Sequence, residues 1–304
     1  MKLRAVAAWL LAVPATAWAV MRLGGLERGY PLVQVMTFTP YAAVAAGVAA
    51  IVAAVLRRRV AAVVAAVSAL ALAIVVAPRV LNQEGTAARG PTLRVLSANV
   101  YFSKVRARDL VALARRERAD LVSVQELTPE LDAELARAFP HRIADPRPGA
   151  FGTGLYSRFP LRRVPGPRDT RHAQSAAEAR LPGGRTIRIV AVHPHAPLGR
   201  GSMAGWKHDL RALPPARPRT ILAGDFNASI DHRELRRLID TGYRVAAEEA
   251  GVGLVPTWRG SRRWLPAVTI DHVLVGSGIA TADAAVHDLP GSDHNAVTAE
   301  LVVR

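Results

Sequence analysis

The sequence predicts a protein in two parts, an amino-terminal membrane region followed by one α/β domain. Three observations predict this fold class. Apolar runs fill most of residues 1–80, and a polar stretch broken by glycine and proline, LNQEGTAARGP, follows at 81–91 as a linker. From residue 92 onward, short apolar strands alternate with amphipathic helices. Residues 92–304 are within the size range of a single domain.

The composition excludes several kinds of site. The chain of 304 residues contains no cysteine, which rules out a disulfide framework, a thiolate nucleophile and a cysteine-ligated zinc site. The formal net charge is +16 and comes almost entirely from arginine. A basic balance favours anionic partners such as nucleic acid, phosphorylated lipid or a membrane surface. A general arginine bias of the source proteome would produce the same charge.

The membrane region is predicted to contain three transmembrane helices, at about 5–21, 31–56 and 60–78. A bilayer core needs roughly 20 apolar residues in helical form. The first run has a second interpretation, because the positive start MKLR and the Ala17-Trp18-Ala19 sequence resemble a cleaved signal peptide. We expect an uncleaved helix, since Pro14 and Trp18 fit a helix end as readily as a signal.

The orientation of the membrane region follows from its basic residues. Three consecutive arginines at 57–59 separate the last two apolar runs. Short positive loops stay in the cytoplasm, so the chain after residue 78 is expected outside. This conclusion holds with or without cleavage of the first run. We therefore expect a multi-pass protein of the cell membrane with an extracytoplasmic carboxy-terminal domain.

The first half of that domain predicts strands that alternate with helices. Residues 93–98 form an apolar strand, and 106–118 have helical spacing with leucines on one face and arginines on the other. A second apolar strand is expected at 120–124. The next helix begins with Thr128 as a cap and Pro129 in its first turn.

A hairpin occupies the middle of the domain. A strand is expected at 152–157, and two strands at 176–181 and 186–192 are joined by the turn residues Pro-Gly-Gly at 182–184. Residues 202–213 predict a helix, which the two prolines that follow bring to an end.

The last elements surround one conspicuous stretch. An apolar run from Thr220 stops at the sequence GDFN, 224–227, and a helix is expected at 231–240. Strands at 268–275 and 296–303 complete the domain. Because side chains alternate along a strand, Asp225 and Asn227 should point to the same side. A strand followed by an ordinary turn would produce the same local pattern.

Polar residues of the kind used in catalysis recur where the predicted strands end. They are Asn99, Glu126, His193, Asp225, Asn227, Asp293 and His294, with Asp271 inside a strand. Each has an ordinary explanation as a turn or solvated residue. Taken together, these carboxylates, amides and imidazoles are more simply explained as one metal and acid–base cluster.

These segments together resemble the endonuclease/exonuclease/phosphatase superfamily, which includes deoxyribonuclease I-like nucleases, inositol polyphosphate 5-phosphatases and sphingomyelinases. The matching pieces are LSANV (96–100), VQEL (124–127), GLYSRFP (154–160), VHPH (192–195), GDFNA (224–228), TIDHVLV (269–275) and GSDHNAV (291–297). They occur in the family's order across residues 92–304. The resemblance implies a four-layered fold, in which two β-sheets pack face to face with helices outside.

The resemblance also implies roles for the site residues. Glu126 would be the main metal ligand, with Asn99 and Asp293 beside the metal. Asp225 would handle a proton of the attacking water, and Asn227 would donate to a phosphate oxygen.

Two histidines complete the implied machinery. Asp271 would orient His294, while His193 would bind the phosphate or protonate the leaving group. Which of Asp225 and His294 accepts the proton stays open.

The chemistry of phosphate ester cleavage requires such groups independently. Charge develops on the phosphate oxygens, so a metal, an amide and an imidazolium are useful donors. Oxygen ligands with few imidazoles favour Mg²⁺ or Mn²⁺ over zinc.

Two features depart from the nuclease pattern. The sequence after Asn99 lacks the further acid that some nucleases carry two residues later, so a second metal is in doubt. The loops at 141–153 and 256–267 are short. An aromatic and basic cluster (Trp258, Arg259, Arg262, Arg263 and Trp264) would stack bases or rest on lipid headgroups, or else it is a tryptophan anchor with solvated arginines.

Three functions remain open at this point. We expect first a membrane-anchored, outward-facing, metal-dependent phosphodiesterase of the nuclease type. The alternative is a lipid-headgroup phosphatase or a phospholipase of the sphingomyelinase type. A non-catalytic membrane-anchored binding module is the third, although the full set of site residues argues against it.

Overall fold

A computed structural model describes residues 2–81, 90–260 and 266–304. Its amino-terminal region is helical. The helices are α1 (Lys2–Gly24), α2 (Leu32–Met36), α3 (Thr39–Val55), α4 (Arg59–Val76) and α5 (Pro78–Leu81). Helices α1, α3 and α4 contact one another through buried alanines, namely Ala8, Ala12, Ala49, Ala53, Ala61 and Ala65. Small side chains of this kind allow helix backbones to approach closely.

The predicted second membrane helix is divided in two. The run at 31–56 is interrupted at Thr37 and Phe38 and continues as α3. Pro40 lies in the first turn of α3, where its missing N–H donor prevents one continuous helix. Among the described residues, α1 and α4 are long and apolar enough to cross a membrane, with 23 and 18 residues, and α3 is a shorter apolar helix. Most of the predicted linker, residues 82–89, lies outside the described residues.

The carboxy-terminal domain contains two six-stranded sheets. The strands of the first sheet are β1 (Thr92–Asn99), β2 (Leu121–Gln125), β3 (His141–Asp145), β4 (Thr153–Ser157), β11 (Ile279–His287) and β12 (Ala296–Val303). Those of the second are β5 (Leu161–Arg163), β6 (Ala176–Arg180), β7 (Thr186–Val192), β8 (Thr220–Asp225), β9 (Arg244–Val245) and β10 (Asp271–Val275). The first sheet has the order β11-β12-β1-β2-β4-β3 and the second the order β5-β6-β7-β8-β10-β9.

The hydrophobic core of the domain consists of three clusters, and their positions show that the two sheets pack face to face. Apolar side chains of both sheets, such as Leu93, Leu121, Ile189 and Ile221, form one fully buried cluster between them. A second cluster covers the outer face of the first sheet with α6 (Ala107–Arg116) and α7 (Pro129–Leu135). A third covers the outer face of the second sheet with α8 (Met203–Ala212) and α9 (Arg233–Ile239). The expected four-layered fold is confirmed, and a short helix, α10 (Ala246–Glu249), adjoins β9 and β10.

Several local details differ from the predictions. Strands β3, β5, β9 and β11 were not predicted, and β3 lies within the stretch expected to be a loop at 141–153. All four are edge strands that are short or contain mixed polar and small residues, so they lack a continuous apolar run. Strand β10 begins at Asp271 rather than at 268, because the Thr257 hydroxyl accepts the backbone N–H groups of Ile270 and Asp271 at 3.0 Å.

Candidate active site

The candidate site lies where the central strands of both sheets end. Strands β1 and β2 are parallel, as are β7 and β8, so each pair delivers its carboxyl ends to one edge. The side chains that this edge brings together are all buried, with exposed fractions of at most 9%: Asn99, Glu126, His193, Asp225, Asp271 and His294. The structure therefore brings these predicted residues from distant parts of the chain into one buried cluster.

Asn99 connects the two sheets at the centre of the site. Its Nδ2 atom donates to Oε1 of Glu126 and to Oδ2 of Asp225, each at 3.1 Å. Glu126 directly follows β2 of the first sheet, and Asp225 ends β8 of the second. The amide thus holds two carboxylates near each other that would otherwise repel.

The loop after β1 holds Glu126 from the other side. Tyr101, Phe102 and Ser103 are three consecutive residues in the left-handed region, with φ of 47°, 53° and 58°. The backbone N–H of Phe102 donates to Oε2 of Glu126 at 2.8 Å, and the Ser103 hydroxyl donates to its carbonyl oxygen at 3.2 Å. Left-handed backbone is unfavourable for residues with side chains, so the surrounding contacts must stabilise this loop. Sequence reasoning missed this support, since nothing in the loop's composition indicates positive φ.

Asp271 and His294 form a hydrogen-bonded pair. The Nδ1 atom of His294 lies 2.9 Å from Oδ2 of Asp271, and its Nε2 atom lies 3.7 Å from Oδ2 of Asp225. The register of the antiparallel strands β8 and β10 places Asp225 directly opposite Asp271. One ligand atom from each of these three residues lies within 4.8 Å of the other two.

The electrostatics of this group shift its protonation. Burial lowers the pKa of His294, but the charges of Asp271 and Asp225 outweigh burial and raise that pKa above its ordinary value. Burial also raises the pKa of Asp225, and the nearby Asp271 and Glu126 carboxylates add to this increase while His294 opposes it. His294 is consequently a stable imidazolium, and Asp225 is a carboxyl group poised to exchange a proton.

His193 is buried beside the two carboxylates that Asn99 joins. Its Nε2 atom lies 3.8 Å from Oδ2 of Asp225 and 3.9 Å from Oε1 of Glu126. Burial, together with His172 and His294, holds the pKa of His193 well below its ordinary value. The ring is therefore neutral, and its ring centroid lies 4.5 Å from that of His172. Sequence reasoning did not identify His172, which has no motif around it.

Two predicted residues contribute less directly than expected. The Asn227 backbone N–H donates to Oδ1 of Asp225 at 2.7 Å, but its side-chain amide donates to the carbonyl oxygen of Pro194 at 3.1 Å. Asp293 accepts from Nε1 of Trp258 at 3.1 Å, while its Oδ1 atom is buried without a partner among the described residues. Trp258 thus serves as an anchor beside the site. Arg262, Arg263 and Trp264 of the predicted cluster lie outside the described residues.

The donor atoms fit a hard divalent cation. Burial raises the pKa of Glu126 despite its hydrogen bonds from Asn99 and Phe102, and a nearby cation would relieve that cost. The buried Oδ1 atom of Asp293, which has no hydrogen-bond partner among the described residues, would supply a second oxygen to such a cation. Oxygen donors of this kind suit Mg²⁺ or Mn²⁺. The Nδ1 atom of His294 is already engaged with Asp271 and is therefore less suited to ligation.

The chain is similar to known proteins in its sequence pattern and in its fold. Residues 96–294 match the model of the Endonuclease/Exonuclease/phosphatase family. The chain is similar to an endonuclease/exonuclease/phosphatase from Beutenbergia cavernae DSM 12333, with 20% identity over 71% of this chain and 72% of that one and a TM-score of 0.56. No curated protein sequence matches the chain significantly.

Two further solved structures share the fold. One is TDP2 from D. rerio in complex with a single-strand DNA product, at 17% identity over 69% of this chain and 98% of that one and a TM-score of 0.52. The other is the mannosyl-6-phosphatase Bt3783 of Bacteroides thetaiotaomicron VPI-5482, at 15% identity over 69% and 99% and a TM-score of 0.52. At these identities the likeness shows the fold alone.

Proposed function

The chain belongs to the endonuclease/exonuclease/phosphatase family and is a phosphoester hydrolase, and on this premise we propose that it is a membrane-anchored, outward-facing, metal-dependent phosphodiesterase of the nuclease type. The observation that carries the proposal is the buried cluster in which Asn99 joins Glu126 to Asp225. A metal ligand and a proton-exchanging carboxyl group so close together suit attack by water on a phosphate.

In this proposal Glu126 holds the divalent cation, with Asn99 and Asp293 beside it. When bound, Mg²⁺ or Mn²⁺ supplies Lewis-acid polarisation of a phosphate oxygen. The loop at 101–103 keeps the Glu126 carboxylate in place through the N–H group of Phe102. Preorganisation of this kind favours the transition state because the ligand does not have to move during the reaction.

Proton transfer falls to the residues of the second sheet. Asp225, with its raised pKa, accepts a proton from the attacking water. His294 remains cationic beside Asp271 and stabilises negative charge on the phosphate. The neutral His193 ring donates a hydrogen bond to the phosphate or to the leaving oxygen, which takes its proton from solvent. The Asn227 side-chain amide donates to a phosphate oxygen once it releases the carbonyl oxygen of Pro194.

The outward orientation is supported by the arrangement of the helices. The arginines at 57–59 connect the end of α3 to the start of α4. Near the opposite ends of these helices, Tyr41 in the first turn of α3 and Arg79 in α5, which follows α4, contact the carboxy-terminal domain. If the arginine loop is cytoplasmic, the catalytic domain is on the other side of the membrane.

A lipid headgroup is the second candidate substrate, because the membrane helices contact segments next to the site. The Tyr41 hydroxyl donates to the carbonyl oxygen of Ala267 at 2.7 Å, four residues before Asp271. The site therefore lies near the membrane surface, where phospholipid headgroups are concentrated. A phospholipase or lipid phosphatase would exploit this proximity.

The test is a substrate panel with the full-length protein in lipid nanodiscs. Single-stranded DNA, RNA, phosphoinositide vesicles and sphingomyelin vesicles are each offered with Mg²⁺, with Mn²⁺ and with excess chelator. We expect cation-dependent cleavage of a phosphodiester in nucleic acid, and its loss in Glu126→Gln. The control variant Glu134→Gln changes an exposed glutamate in the same way.

Each outcome of the panel decides between the candidates. Cleavage confined to vesicles would replace the nuclease proposal with the lipid one. Activity that survives chelation or the Glu126→Gln change would overturn the metal assignment.

A further inference from the structure

A buried ion pair joins the membrane helices to the loop that follows β8. We call residues 226–232 the β8 loop. Its Asp231 carboxylate is fully buried and accepts two hydrogen bonds from Arg79, Nη1 to Oδ2 at 2.8 Å and Nη2 to Oδ1 at 2.6 Å. Arg22 adds a third bond, Nε to Oδ1 at 2.7 Å. Arg22 lies in the last turn of α1 and Arg79 in α5, so both arginines come from the ends of the membrane helices.

A second set of contacts holds the far end of the same loop. The Nδ1 atom of His232 accepts the Ser229 N–H at 2.9 Å, which leaves the proton on Nε2. This Nε2 group lies 2.7 Å from the carbonyl oxygen of Val33 in α2 and donates to it. The Glu27 carboxylate accepts the backbone N–H of Arg233. Four residues of the amino-terminal region, Arg22, Glu27, Val33 and Arg79, thus contact the carboxyl end of the β8 loop or the residue that follows it.

The amino end of the β8 loop is fixed to the catalytic residues. The Asn227 N–H donates to Asp225, and the Asn227 carbonyl accepts Nε1 of Trp206 at 3.0 Å. Nε2 of His272 lies 2.9 Å from the carbonyl oxygen of Ala228. Phe226 and Ala228 are completely buried. No residue between Asp225 and Asp231 is exposed. A displacement of Asp231 would therefore also displace Asp225 and Asn227.

If the amino-terminal helices only anchored the domain to a membrane, they would not need these buried contacts. Burying a carboxylate and two guanidinium groups costs solvation that only complete pairing offsets, and removal of one partner leaves an uncompensated buried charge. Burial would raise the pKa of Asp231, but Arg79 and Arg22 hold it below its ordinary value, so the carboxylate is ionised at neutral pH. This network makes the geometry of the β8 loop depend on the membrane helices.

We propose that Asp231 is a positioning residue through which Arg22 and Arg79 of the membrane region hold Asp225 and Asn227 in their reactive geometry. The membrane helices are then part of the catalytic framework as well as an anchor. The inference rests on the proposed role of Asp225 in proton transfer.

The experiment compares full-length variants in nanodiscs. Asp231→Asn keeps the shape of the side chain but removes its charge, and Arg79→Lys keeps the charge but removes the two-pronged contact. The control, Glu178→Gln, makes the same carboxylate-to-amide change in the exposed pair with Arg162. Turnover is measured with the substrate found in the panel, and amide hydrogen exchange is measured across 226–232.

We expect Asp231→Asn to lower kcat by about tenfold or more while KM changes less than about twofold, because a displaced proton acceptor affects the reaction more than binding. Arg79→Lys should be intermediate, and Glu178→Gln should match the wild type. Hydrogen exchange at 226–232 should rise in the same order, with Mn²⁺ affinity unchanged.

Several results would overturn the inference. Unchanged amide hydrogen exchange at 226–232 in both Asp231→Asn and Arg79→Lys would show that the helices do not hold the loop. This result does not require a known substrate. Faster exchange with an unchanged kcat would show a structural junction only. Absence of turnover in the wild type would instead defeat the proposed function, and the exchange data would still decide the contact between the helices and the loop.

Discussion

Replacing Asp271 with asparagine tests the electrostatic core of the site. Oδ2 of Asp271 lies 2.9 Å from Nδ1 of His294, and the pKa of His294 is raised chiefly because the Asp271 and Asp225 charges outweigh burial. Asparagine keeps the size and a hydrogen-bond acceptor but removes the charge. Burial, which lowers the pKa of His294, is then opposed by one carboxylate fewer.

The size of the change follows from this geometry. For charge centres about 4 Å apart and an effective dielectric constant of about 20, the attraction is about 4 kcal/mol. That energy corresponds to a decrease of about three units in the His294 pKa. His294 is cationic below its pKa, so the variant loses the imidazolium as pH rises through a range in which the wild type keeps it.

The assay is kcat/KM against pH for the wild type, Asp271→Asn, His294→Ala and the double variant. The alkaline limb of the Asp271→Asn profile should move to lower pH by about three units. Acidification should therefore restore activity to Asp271→Asn only down to the pH at which Asp225 becomes protonated and can no longer accept a proton. It should not restore the activity of His294→Ala. The double variant should be little worse than His294→Ala, because residues that act as one unit have non-additive effects.

Two results would refute the reasoning. An unmoved profile, or additive losses in the double variant, would mean that the two residues act independently. A gain of activity at neutral pH in Asp271→Asn would mean that the neutral imidazole is the active form, with His294 rather than Asp225 as the base.

Three other predictions follow from the site, the sheet and the membrane region. Glu126→Ala should weaken Mn²⁺ binding by more than about 100-fold in calorimetry, because mutation of a residue that only supports a metal ligand already lowers metal affinity by about 10- to 100-fold. Unchanged binding would place the metal elsewhere. Gly224→Ala should destabilise the fold by more than about 4 kcal/mol in denaturant unfolding, because its Cβ atom would lie 1.9 Å from the Val192 carbonyl oxygen. Gly201→Ala, with open space around it, is the control and should change stability by about 0.5 kcal/mol or less; equal effects would contradict the packing of β7 on β8. A reporter fused after Arg304 should behave as exported, and a cytoplasmic signal would reverse the topology.

Local patterns were sufficient for most of the secondary structure. Continuous apolar runs located β1, β2, β7 and β8 within one or two residues, because those strands are buried on both faces for most of their length. The four edge strands β3, β5, β9 and β11 were missed, since they lack a continuous apolar run. The division of the second apolar run was also missed, because hydrophobicity along a chain does not show where a helix breaks.

The sequence predicted which residues form the candidate site, but it did not predict the distances between them. Parallel strand ends gather at one edge of a sheet, and this rule alone groups Asn99 with Glu126 and His193 with Asp225. The bond from Asn99 to Asp225 joins residues 126 positions apart in different sheets. Only the packing of one sheet on the other decides whether these atoms meet.

The junction between the membrane helices and the β8 loop was visible only in the folded chain. Asp231 and Arg22 are 209 residues apart, and neither belongs to a recognisable pattern. Short-range periodicity determines which segments become helices and strands, because it depends on neighbours within a few residues. Contacts between side chains far apart in the sequence depend on how those elements pack together. That packing is determined by the free energy of the whole molecule, including the cost of burying charged groups.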